Sequence, residues 1–199
     1  MDPANTDYRL LLGKSRSSLG AFELNFGEKE LAVESLGKAF DLFESLSKQH
    51  PENPNYQYHA ALTLMLMPTN HADSITENQI VEVQQTANSL MEKSPRAEYV
   101  QLQIVSRLKL ADFLLDQSKP QEAIVELKEA AKLYFVSDLK GAAEKSMMRA
   151  IGKTVGNVRQ ALPMPERREF MRFVEQNLRE HFRRHFSRAH RRGPPGRGN

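Results

Sequence analysis

A shift of 91 positions lays Tyr8 on Tyr99, Leu19 on Leu110, Phe22 on Phe113, Ala32 on Ala123, Leu36 on Leu127, Ala39 on Ala130 and Leu42 on Leu133, with no gap. A second shift, of 48, carries Asn5 and Tyr8 onto Asn53 and Tyr56, and further along Ala39 onto Ala87 and Leu42 onto Leu90. Three copies of one unit are therefore present. Repetition at this period predicts a stack in which each unit buries its face on the next, since one unit alone encloses too little apolar surface to stand by itself.

Within a unit the spacing is helical. Leu19, Phe22 and Phe26 recur at three and four residues, as do Leu36, Ala39, Phe40 and Phe43, so each helix carries an apolar stripe that needs a neighbour. Gly27 separates the first two stripes, and Glu28 and Glu30 then fall in a helix's first turn, where carboxylates oppose the positive end of its dipole. In the third unit Ser118 and Gln121 have the spacing of a capping box, with Pro120 near the helix start, where its missing N–H costs little. Pro51 with Pro54, Pro68 and Pro95 divide the remaining segments. The pattern predicts helix pairs over 7–26 with 28–49, 55–67 with 76–93, and 96–117 with 119–135. A helix from Ser137 to Leu162 follows, interrupted by "LPMPE", and a last helix runs from Arg167 to about Phe186. The division expected is 1–135 for the repeats, 136–187 for a capping helix pair and 188–199 for a disordered basic tail.

These units resemble the tetratricopeptide repeat. The family's Leu-Gly pair in the first helix matches Leu19-Gly20, its turn glycine matches Gly27, and its small-large-small pattern in the second helix matches Ala32, Leu36 and Ala39. In the third unit the same places read Leu110-Ala111, Ser118, Ala123, Leu127 and Ala130. Arg16 and Arg107 stand where the family has a tryptophan, and Glu23 and Leu114 where it has a tyrosine. The resemblance implies an all-α, right-handed α-solenoid of three helix pairs, to which the divergent C-terminal pair adds a cap. The lengthened units and linkers such as "HPENPNYQ" are similar to the arrays that follow the kinase domain in some bacterial serine/threonine kinases.

No kinase chemistry accompanies that likeness. The sequence holds no glycine-rich phosphate loop, no H-R-D and no D-F-G, and no G-x-S-x-G elbow of a serine hydrolase. The absence of cysteine removes disulfides, thiolate metal sites and cysteine nucleophiles. His181 and His185 lie four apart, but "HFRRH" lacks the glutamate of H-E-x-x-H and sets two arginines beside any cation. No enzymatic activity, cofactor or metal is expected. No apolar run reaches the roughly 20 residues a membrane span needs, and "MDPANTDYRL" has the wrong charge for a signal peptide. A cytoplasmic protein is expected.

Partners are therefore the question. In the family, inward-facing positions of the first helices line a concave groove for a peptide or helix, and matching them here gives Lys14, Ser17 and Ala21, then Leu62 and Met65, then Leu108 and Asp112. Ser17, Ala21, Leu108 and Asp112 do not reproduce the clamp with which some relatives grip a terminal carboxylate. The reading is a non-catalytic interaction scaffold, either independent or a regulatory region of a larger protein such as a serine/threonine kinase. Self-association through an open repeat edge is compatible with it. The alternative is nucleic-acid binding: residues 159–199 hold eleven arginines against four glutamates, a charge of +7 in a chain of +3, so the rest carries −4. Arg183, Arg184, Arg188, Arg191 and Arg192 are the residues placed to meet phosphates.

Overall fold

The repeat is visible in single hydrogen bonds. Asn5 Oδ1 accepts from the amides of Asp7 and Tyr8 at 2.9 and 3.2 Å, and Asn53 Oδ1 accepts from the amide of Asn55 at 3.1 Å, so the paired asparagines cap two equivalent helices. At the other end of the first helix, the amides of Gly27 and Glu28 return to the carbonyls of Leu24 and Glu23. Ninety-one positions on, the amides of Ser118 and Lys119 return to Leu115 and Leu114, the same pair of bonds. Gly27 takes φ 84° and Ser118 φ 57°, both left-handed. Ser118 thus terminates one helix and does not cap the next. The capping box expected there is absent: Lys119 precedes that next helix without a side-chain cap, and the box forms instead at Thr76 and Gln79.

The computed structural model describes residues 5–69, 75–137 and 139–191, with side chains through residue 179. Among the described residues there are eight helices and no strand: α1 (Thr6–Asn25), α2 (Lys29–Gln49), α3 (Pro54–Leu66), α4 (Glu77–Lys93), α5 (Ala97–Asp116), α6 (Pro120–Val136), α7 (Gly141–Ala161) and α8 (Met164–Arg191). Helix α7 begins later than Ser137 because Gly141 adopts φ 65°. Helix α8 runs past Phe186 to Arg191 and so takes in the start of the tail expected over 188–199, the rest of which lies outside the described residues.

Each even helix packs on the odd helix before it up to α6, and each odd helix from α3 onward packs on both helices that precede it. The odd helices also pack on one another, α1 on α3, α3 on α5 and α5 on α7, whereas among the described residues the even helices α2, α4 and α6 do not pack side by side, α4 reaching α6 through a hydrogen bond from Gln84 to Glu126 at 3.5 Å. Between α2 and α4 a gap of about 480 Å³ is left, floored by Ala60, Ala61 and Leu64 of α3.

One apolar core runs from Leu36 of α2 to Phe170 of α8. Ala32, Leu36 and Ala39, with their counterparts Ala123, Leu127 and Ala130, are all buried, as their small-large-small spacing requires. Gly20 brings α1 against α2 so closely that a Cβ there would stand 2.6 Å from Leu36 Cγ. Tyr56 and Tyr99 are buried. Tyr8 is not buried. Among the described residues helix α1 packs on α2 and α3, and Tyr8, Leu19, Phe22 and Phe26 stay exposed.

Candidate functional site

The odd-helix layer carries polar groups that a core does not need. Ser17 Oγ of α1 stands 3.4 Å from Thr63 Oγ1 of α3, and Thr63 donates to the carbonyl of His59 at 2.8 Å. The His59 ring stacks on Phe43 at 5.2 Å and lies 5.3 Å from Tyr58. Burial holds its pKa below the ordinary histidine range, and the positive charge of Lys14 pushes the same way.

Further along, Lys109 of α5 donates to the carbonyl of Met67, which has left helix α3 and lacks an intrahelical donor. Burial lowers the Lys109 pKa to about 8, against the pull of Asp112 and Asp116 and with the push of Lys153. Asp112 accepts from Asn157 Nδ2 of α7 at 3.1 Å, and Asp116 accepts from Thr69 at 3.1 Å. A polar seam thus crosses α1, α3, α5 and α7. It holds hydroxyls, two carboxylates, an imidazole and ammonium groups of which Lys14 is exposed to water.

The expected groove residues divide in two. Lys14, Ser17 and Asp112 lie in this seam. Ala21 and Leu62 are half-buried, and Met65 and Leu108 are buried in the core with Met67, so the "LTLMLM" run is filling rather than surface. Periodicity did not single out His59, Lys109, Lys153 or Asn157. The one signal present was a lysine in the buried run of α5, at the place where the first unit has Ser18. Of the arginines proposed to meet phosphates, Arg183, Arg184, Arg188 and Arg191 sit on the last turns of α8 with side chains outside the described residues, and Arg192 lies outside them altogether. Among the described residues no group of three or more His, Cys, Asp or Glu is placed to hold a metal.

A second concavity lies at the other end of the chain. Helices α6, α7 and α8 enclose a cavity of about 330 Å³ lined by apolar side chains, Leu127, Tyr134, Ile151, Val155, Phe170 and Phe173 among them. Lys128 sits 4.8 Å from the Phe173 ring centre, and Gln121 donates to Glu166, so α8 is held over α6 by polar contacts at the rim. No described helix is long and apolar enough to cross a membrane.

Comparison with protein-family models, curated proteins and solved structures gives no match for this chain.

Proposed function

We propose that this chain is a non-catalytic interaction scaffold of the tetratricopeptide kind, a right-handed α-solenoid that holds a peptide or helix against its odd-helix layer. The observation that supports it most is the asymmetry of packing. Odd helices touch one another, while α2 and α4 stand apart over a gap of about 480 Å³. A stack drawn together on one face and spread on the other curves toward the first, which makes the odd layer the inner surface. The polar seam runs along that layer and offers both donors and acceptors to a polypeptide backbone.

Selection of peptides from a displayed library against the purified chain tests this. Convergent sequences are expected, and Lys14→Glu or Asp112→Lys should weaken them by roughly tenfold or more, the effect of losing a contributing contact. Removal of Arg183 to Asn199 should leave the affinity unchanged, and the chain should turn over no ATP. Selection without convergence sinks the scaffold reading. Binding that disappears with the tail, and reappears as steeply salt-dependent affinity for DNA or RNA, transfers the function to the arginines through counterion release.

A further inference from the structure

Five large apolar side chains of the first helix face water in one line. Tyr8, Leu11, Leu19, Phe22 and Phe26 are 37, 64, 49, 58 and 68% exposed. With Ser15 and Ser18, also exposed, they fall within about 100° of the helix circumference and follow its axis for about 27 Å. No charged residue interrupts the stripe, and Phe22 and Phe26 lie ring against ring at 4.5 Å.

The same stripe exists inside the molecule. At the 91-residue offset its places are Tyr99, Leu102, Ser106, Lys109, Leu110, Phe113 and Gln117, identical at five of the seven. There it is the face that receives the preceding helix pair. Tyr99, Leu102 and Leu110 are 0, 1 and 7% exposed, Tyr99 meets Tyr58 of α3 at 5.7 Å, and Lys109 reaches the carbonyl of Met67. One face written twice is closed in one copy and open in the other.

We propose that the open copy binds a second molecule of this chain, α1 against α1, about a twofold axis passing near Ser15 and Ser18. Antiparallel pairing is what the stripe's own sequence favours. Its centre is small, which lets two helices approach, and its Tyr8–Leu11 end then meets the Phe22–Phe26 end of the other copy. Charge opposes the head-to-tail alternative: the water-facing side of α8 bears Arg168, Arg172, Glu175 and Arg179, a net positive face that would have to be desolvated against an uncharged stripe. The exposed parts of the five side chains amount to about 500 Å² per copy, so the pair buries about 1,000 Å², the size at which specific interfaces begin. The interface is separate from the polar seam, which leaves the seam of each copy accessible.

Because the chain has no cysteine, one introduced thiol reports the geometry. Sedimentation equilibrium of the full chain should show a concentration-dependent dimer. Phe22→Glu, a change at an exposed site, should keep the helical circular dichroism and weaken that dimer roughly thirtyfold or more, as for a central aromatic contact. Under mild copper-phenanthroline oxidation Ser18→Cys should form a covalent dimer far faster than Lys48→Cys, a control on the exposed surface of α2. The proposal is overturned by a wild-type monomer throughout the micromolar range and above. It is equally overturned by a dimer indifferent to Phe22→Glu, or by equal cross-linking at the two thiols.

Discussion

Ser118 occupies a conformation made for glycine. Its φ of 57° repeats the 84° of Gly27 at the same place in the first unit, and a side chain there costs about 1 kcal/mol in local backbone energy. Ser118→Gly is expected to stabilise the protein by about that amount, and Gly27→Ser to cost a similar amount, both measured by urea denaturation. Lys109 carries a different burden. Its folded pKa of about 8 lies below the ordinary 10.5, so the unfolded chain binds more protons between those values, and stability rises as pH climbs from 8 to 10.5. Below pH 8 the charged, desolvated amine costs about 3 kcal/mol at most. Lys109→Met should therefore melt higher than wild type at pH 7, and the gap should close by pH 10.5. A constant difference across that range would assign the effect to packing. The lysine could be read off the sequence as an oddity in an apolar run. Its desolvation could not, because the carbonyl it meets comes from the end of α3 and the nearby ammonium of Lys153 from α7.

At the scale of helices the sequence was legible wherever spacing decides. Ala32, Leu36 and Ala39 and their third-unit counterparts predicted two helices with the same buried edge, and the structure buries all six. Leu36→Asp and Leu127→Asp each bury a charge with no partner, at a cost of several kcal/mol. Their consequences should differ. Leu36 joins α2 to α1, while Leu127 joins α6 to its neighbours and to the cavity under α8. Thermal melts followed by circular dichroism should show a partial, early loss of helix for Leu36→Asp and a general loss for Leu127→Asp. Wild-type melts in both would mean that the assigned register is wrong. The misplaced capping box has a similar lesson. "SKPQ" and "TENQ" fit the motif equally, but only three residues separate α5 from α6, and Ser118 is used by the end of α5. Thr76 lies well beyond the end of α3 at Leu66 and is used by α4 alone.

For the molecule as a whole, the repeat predicted which helices are neighbours but not which faces stay open. Tyr8 and Tyr99 are the same letter in the same pattern, and only the arrangement of α3 and α4 makes one buried and the other exposed. The polar seam was half legible for the same reason: Lys14, Ser17 and Asp112 follow from positions within a unit, whereas Asn157 and Lys153 belong to a helix that resembles no unit.

The packing of each helix on near neighbours in the chain also sets how the protein is made and unmade. Among the described residues the helices that pack closely are no more than two apart in chain order, so no long loop has to close before contacts begin to form. Folding should be fast, in the microsecond-to-millisecond range typical of local helical topologies. A chain emerging from the ribosome should be able to add one hairpin at a time to a growing end. Opening reverses that order. Amide exchange should be quickest in α1 and α8 and slowest in α5, which is clasped by α3, α4, α6 and α7, so the last part to surrender its hydrogens is the middle of the chain rather than either terminus.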